Sequence, residues 1–290
     1  AYTSAVRVAA PEAFLQWRGS TLAQVVLNSG QSVKKNLDQT LKYLTRAVKL
    51  DANLILTPEI TNIVSLNQKH LLKETFSEKN DPFLKKIKEF AKNNSVWVVL
   101  GSIIVKDKNE SLFNRSYLIS NKGVIISKYD KIHMFDAIIS SKEFYKESSI
   151  FTAGKKVKIG QTPWGKVGLS ICYDMRFPEL YRSQVAGGAK IISIPSAFTV
   201  TTGKAHWHTL LKARAIESGC YVFAPAQCGQ NTPKRKTYGH SLIVSPYGKI
   251  LKEKMSGTGI ITCKINMDEV DNTRKNMPSY QSKLLKRTIS

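Results

Sequence analysis

The chain has 290 residues and a net charge of +23, from 44 lysines and arginines against 21 aspartates and glutamates; 42% of it is hydrophobic. That length supports one large α/β core or two smaller ones, and no linker-like stretch forces a division. No apolar run approaches the roughly 20 residues a membrane-spanning helix needs, so a soluble protein with no membrane role is expected.

Residues 1–20 contain two arginines and one glutamate. They read as an extension of open role: a mitochondrial targeting leader, an expression remnant or a genuine segment. From Ser32 onward, Val33, Leu37, Leu41, Leu44 and Val48 recur at steps of three and four, the period of an amphipathic helix with Ser32 as N-cap. The apolar run 53–57 is stopped by Pro58 and reads as a buried strand, with Glu59 just beyond it. Phe83, Leu84, Ile87, Phe90 and Ala91 mark a second helix leading into a strand at 96–100.

The middle of the chain turns to hairpin signals, with strands at 116–119 and 124–127 around Asn121-Lys122-Gly123. The strand–helix rhythm then resumes: strand 167–171, helix 177–186, strand 191–194, helix 206–217, strand 221–224. A strand at 260–265 and a polar helix at 267–275 close the pattern. Two such halves around a strand-rich middle suggest an α/β fold, a four-layer α-β-β-α sandwich with two sheets packed face to face.

Basic runs such as Lys155-Lys156-Val157-Lys158 and Lys234-Arg235-Lys236 are short and have no interleaved aromatics. They read as solvated surface, which makes nucleic acid an unlikely partner; a basic binding module without turnover is the rival that the charge leaves open. Cys172, Cys220, Cys228 and Cys263 contain no CxxC spacing and suggest reduced thiols in a cytoplasmic setting. Cys220, Cys228 and His240 lack a fourth ligand, and no metal is expected.

Three potentially reactive residues share one kind of position. Glu59 follows the strand at 54–57, Lys131 lies just beyond 125–129, and Cys172 ends 167–171. Ligands in α/β sheets bind outside the carboxyl ends of strands, so three strand ends can deliver these groups to one pocket. There Glu59 can take the thiol proton, while Lys131 and the backbone N–H of Tyr173 can meet an oxyanion. Read residue by residue, the alternatives stand: a cysteine at a strand end is ordinarily a small buried hydrophobe, and a lone glutamate or lysine a surface charge.

The segments "LILTPEI", "SKYDKIHMFD", "FYKESSIFTAGK" and "GLSICYDMRFPELYR" resemble, in this order, the linked motifs of the nitrilase, or carbon-nitrogen hydrolase, superfamily. The resemblance covers residues 21–277, leaving 278–290 as a C-terminal tail; Arg274 to Ser290 has little apolar patterning, as expected of a loosely held segment or one that wraps a partner subunit. It implies the four-layer sandwich, Glu59 as general base, Lys131 as oxyanion stabiliser, Cys172 as nucleophile, Glu147 positioning lysine and substrate, no cofactor, and a homodimer or higher homo-oligomer. Residues 194–230, followed by "YGHSLIVSPYGKI", are similar to the deaminated-glutathione amidase branch, with the omega-amidase branch close behind. Both imply a small carboxylate-bearing amide as substrate.

A carboxylate needs a fixed cation. Arg176 is the candidate, the alternative being a helix-surface ion pair with Glu179. Thr199 and Thr202 are expected to line the pocket through their hydroxyls, while His206 and Trp207 open a helix and set its shape. Residues 137–142, "AIISSK", lack the acidic and proline-glycine character usual in the family's loop beside the pocket, which bears on substrate preference.

Overall fold

The structure, a computed structural model, describes residues 20–141 and 143–281. The extension expected at 1–20 lies, apart from Ser20, outside the described residues, as do Lys142 and the tail from 282. The strands in chain order are β1 (Thr21–Val26), β2 (Ala52–Leu56), β3 (Trp97–Lys106), β4 (Leu112–Ile119), β5 (Ile125–Asp130), β6 (Asp136–Ser140), β7 (Glu143–Lys146) and β8 (Lys158–Thr162). They continue as β9 (Gly165–Leu169), β10 (Ala189–Ser193), β11 (Tyr221–Ala224), β12 (Cys228–Thr232), β13 (Arg235–Tyr238), β14 (Ser241–Val244), β15 (Ile250–Lys254) and β16 (Gly259–Lys264). The α-helices are α1 (Val33–Val48), α2 (Gln68–Glu74), α3 (Pro82–Asn93), α4 (Pro178–Ala186), α5 (Val200–Ser218) and α6 (Met267–Asn276).

Two six-stranded sheets form, in the orders β16-β1-β2-β3-β4-β5 and β15-β14-β11-β10-β9-β8. Each has three parallel strands at its centre, β1-β2-β3 and β9-β10-β11, flanked by antiparallel ones. Strand alternation assigns the layers: Leu54 and Leu56 of β2 join the core shared with the second sheet, while Ile55 between them packs outward with Leu44 and Ala47 of α1 and Phe83 and Ile87 of α3. On the far side Leu180, Tyr181, Trp207 and Leu211, from α4 and α5, cover the second sheet. The expected α-β-β-α order is therefore present.

Local chemistry explains the helix starts. Ser32 and Asp81 cap α1 and α3 by accepting from Lys35 N (3.4 Å) and Leu84 N (2.7 Å). The helix expected at 206–217 begins six residues earlier, so His206 and Trp207 lie inside α5 rather than opening it. Thr199 is its N-cap and accepts from Thr202 N at 3.3 Å. Gly203, which makes "TTGKA" read as a loop, is required because a Cβ there would lie 2.3 Å from the Tyr238 ring. The described part of the segment 137–142 is also no simple loop: β6 and β7 form an antiparallel ribbon in which Ile138 faces Phe144.

One glycine shapes the loop that carries Glu59. Gly101 sits where the β3–β4 register shifts, and a Cβ on it would stand 1.9 Å from Thr57 O and 2.5 Å from Pro58 O. Its N–H donates to Thr57 Oγ1 (2.9 Å), while Ser102 binds the next peptides through Ser102 N to Pro58 O (3.2 Å) and Ile60 N to Ser102 Oγ (2.7 Å). The Gly101→Ala variant is expected to lose about 1–3 kcal/mol through overpacking. Urea unfolding checks this, and unchanged stability would mean that the loop relaxes freely.

Candidate active site

Three loops at the carboxyl ends of β2, β5 and β9 converge. Glu59, Lys131 and Cys172 are 3%, 2% and 8% exposed, so their polar groups must satisfy one another. Lys131 Nζ donates to Glu59 Oε1 (2.9 Å) and to both oxygens of Glu147 (2.9 and 2.8 Å). Glu59 Oε1 also accepts from Asn114 Nδ2 (3.0 Å), and its Oε2 accepts from Ala197 N (2.8 Å). The Cys172 thiol faces the Glu59 carboxylate and the Ala197 N–H.

Backbone contacts place each member. Lys131 N donates to Asn114 O (3.0 Å), so Asn114 holds the glutamate by its side chain and the lysine by its backbone. Glu147 opens a short 3-10 turn and is tied to the base of the β6–β7 ribbon, its Oε2 accepting from Phe135 N at 2.6 Å. Cys172 begins another 3-10 turn (Cys172–Arg176), with its N–H on Pro195 O (2.9 Å) and φ at 49°. A left-handed non-glycine residue costs on the order of 1–3 kcal/mol and lifts the thiol out of the strand direction. Asp174 N is the first to close that turn, on Ile171 O (3.1 Å), and Tyr173 N precedes it.

Asp174, fully buried, joins two of the loops. It accepts from Ile171 N (2.8 Å) in the cysteine turn and from Tyr129 OH (2.8 Å), His133 N (3.0 Å) and His133 Nδ1 (2.7 Å) around the lysine. Phe135, Tyr145, Tyr173 and Phe177 form a linked aromatic wall beside them, with centroids 4.9, 5.1 and 5.6 Å apart along the chain of contacts.

The protonation states follow from this geometry. Burial by itself raises the Glu59 carboxyl, but the charge and hydrogen bond of Lys131, with help from Arg235, bring it below its usual value. Burial pushes the Cys172 thiol well up, the Glu59 charge adds to this, and Lys131 only partly opposes it. Lys131 would be lowered by burial, yet Glu147 and Glu59 hold it above the ordinary lysine value. At neutral pH the site is an ionised carboxylate, a protonated thiol and an ammonium.

The remaining expected residues are distributed less simply. Arg176 Nη2 meets His206 Nδ1 (3.2 Å), and its guanidinium lies 5.5 Å from the rings of Tyr173 and Phe198. The pair with Glu179 does not form: among the described residues, arginine–carboxylate pairs join Arg115 to Glu78 and Asp130, and Arg214 to Glu217. The Thr199 and Thr202 hydroxyls meet at 2.8 Å and serve the cap of α5. A cavity of about 250 Å³ adjoins the site, walled by Glu59, Asn114, Phe135, Tyr145, Glu147 and Arg235 among others.

Sequence reasoning missed Asn114, Asp174 and Arg235. Asp174 sits in a quoted motif and its proximity to Cys172 was the available signal; Arg235 was placed with the solvated lysines. Among the described residues, a metal ion has one candidate cluster, His208, His240 and Glu253, whose ligand atoms lie within 4.8 Å of one another. None of the three lines the cavity beside Glu59 and Glu147. Cys220 is elsewhere, with its thiol on Ala189 O (3.3 Å).

The comparisons with known proteins place the chain in a family. The family described as carbon-nitrogen hydrolase matches residues 21–275. This chain belongs to that family, a class of hydrolytic enzymes, and within it resembles the deaminated-glutathione amidase branch. It is 36% identical over 267 residues to the deaminated glutathione amidase of Dictyostelium discoideum, covering 89% of this chain and 92% of that protein. It is 35% identical to the nitrilase and fragile histidine triad fusion protein NitFhit of Caenorhabditis elegans, covering 89% of this chain but spanning only 59% of the fusion's length. The crystal structure of that fusion aligns with a TM-score of 0.86 at 34% identity, over 92% of this chain and 65% of the other. That of Saccharomyces cerevisiae Nit3 aligns at 0.83 and 29% identity, over 92% and 97%.

Two measurements check the site. Asp174→Ala is expected to destabilise the fold by about 3–5 kcal/mol, because four donors lose a buried carboxylate; denaturant unfolding reads this. Iodoacetamide alkylation of Cys172 is expected to show no rise through the ordinary cysteine value of about 8.5, since the thiol stays protonated there. A sigmoid centred at that value would show that the thiol is not held up.

Proposed function

We propose that this chain hydrolyses a small linear amide carrying carboxylate groups, of the deaminated-glutathione class, through a thioester on Cys172. The observation that carries the proposal is the single buried contact set in which Cys172 faces Glu59 and Lys131 bridges Glu59 to Glu147. In this reading Glu59 takes the thiol proton as sulfur attacks the amide carbon. The oxyanion meets the Lys131 ammonium and Tyr173 N–H. Glu59 then hands its proton to the departing nitrogen, the C–N bond breaks, and a thioester remains. Water gives a proton to Glu59 as it attacks, and collapse releases the acid and restores the thiol. Amide and water become carboxylic acid and amine, with neither electrons nor protons left over.

The substrate class rests on the relatives' names and on Arg176, a cation with no carboxylate partner among the described residues, stacked near Tyr173 and Phe198. Its fork can hold a carboxylate in two parallel hydrogen bonds. Deaminated glutathione would yield 2-oxoglutarate and cysteinylglycine, whereas an alpha-ketoglutaramate-type amide would yield ammonia. Product analysis with both substrates therefore separates the two branches.

Cys172→Ala is expected to abolish hydrolysis while keeping the unfolding midpoint near that of the wild type, and Glu59→Gln to lower kcat by roughly 10²–10⁴-fold, the usual range for a lost general base. Full activity in the cysteine variant would end the proposal. Preference for alpha-ketoglutaramate would move the substrate assignment to the omega-amidase type and keep the chemistry.

A further inference from the structure

Arg235 belongs to a basic run whose neighbours Lys234 and Lys236 are exposed, yet it is itself half-buried. The β12–β13 hairpin turns it inward. It lines the cavity of about 250 Å³ that adjoins the catalytic residues, together with Glu59, Asn114 and Glu147. It also lines an adjoining cavity of about 530 Å³ with Gln31, Asn67, Thr232 and Lys234. The two cavities share Ser65, Leu66 and Arg235, so the arginine stands between them, in the wall of both.

Its donors are largely unspent. Nη2 donates to Ala197 O (3.0 Å), Nε is buried with no hydrogen-bond partner, and the guanidinium lies 6.0 Å from the Tyr145 ring. No carboxylate pairs with it among the described residues. Its charge nonetheless reaches Glu59. A planar fork anchored by one carbonyl and one aromatic face is already ordered, so an anion binding there loses little to reorganisation.

We infer that Arg235 binds a carboxylate of the substrate other than the one taken by Arg176, which makes the preferred substrate a dianionic amide. This rests on the amidase reading of the same site. The two arginines approach the residues 197–198 from different contacts: Arg235 holds the Ala197 carbonyl, while Arg176 stacks near Phe198. A monoanionic amide can satisfy only one of them.

The test compares deaminated glutathione with its two monomethyl esters on wild-type protein, Arg235→Gln and Arg235→Lys. Arg235→Gln is expected to raise KM for the dianion roughly 10- to 100-fold, the worth of one charge-assisted hydrogen bond or two, with the smaller effect on kcat. One of the two esters should cost the wild type a similar factor and cost the variant nothing more; Arg235→Lys should recover part of the loss. Equal losses on dianion and esters, or a loss in kcat alone, would mean that Arg235 merely holds Ala197 and would overturn the inference. Calorimetric titration of glutarate into Cys172→Ala, with and without Arg235→Gln, needs no turnover. Weaker glutarate binding in the double variant supports the inference even if no amide is hydrolysed, a result that would count against the amidase reading alone. Equal affinities, or no binding to either, overturn it.

Discussion

One ammonium group held between two carboxylates, in a space nearly closed to water, constrains everything around it. Lys131 has three N–H donors and spends them on Glu59 and on both oxygens of Glu147. Remove the lysine and one buried and one partly buried carboxylate lose their counterion; remove either glutamate and the cation loses part of its compensation. The lysine therefore forces the β2 loop, the β5 end and the base of the β6–β7 ribbon into one relative position. In the proposed cycle the double contact with Glu147 has a second use, since one of its two hydrogen bonds can pass to an oxyanion while the other keeps the pair together.

Asp174 performs the complementary task on the other side. It is two residues from Cys172 and bonds both the turn that carries the thiol and the Tyr129–His133 stretch around the lysine. The thiol and the ammonium are thus positioned by a shared carboxylate as well as by their strands. This is why a site assembled from residues more than a hundred positions apart can hold hydrogen-bond distances: each loop is fixed to a neighbouring loop, and each strand end to a covered sheet.

The sequence made two of the strand ends legible because the apolar runs that close β2 and β9 are buried and stop abruptly at Pro58 and Cys172, whereas β5 alternates and leaves Ile126 and Lys128 exposed. Glu59 and Cys172 were readable for that reason, and Lys131, beyond the half-exposed β5, chiefly from the order of the motifs. Other features had no such signal. Thr199 and Thr202 carry hydroxyls that suit a pocket and a helix cap equally, and Gly203 disguised the first turn of α5 although the Tyr238 ring is what excludes a side chain there. The β6–β7 ribbon leaves Ile138 and Phe144 86% and 71% exposed, so burial imposes no pattern that could reveal its strands. Arg235 was hidden by its neighbours, because only the register of the hairpin decides which member of a basic run turns inward.

The upward shift of the Cys172 thiol also bears on chemical durability. Thiolates attack peroxides and disulfides far faster than thiols do, and a buried, protonated sulfur beside a carboxylate supplies little thiolate. In the proposed cycle the carboxylate that deprotonates sulfur also helps, at rest, to keep the proton in place, adding to the larger effect of burial. A cysteine arranged in this way tolerates an oxidising episode that would convert an exposed, low-pKa cysteine to its sulfenic acid.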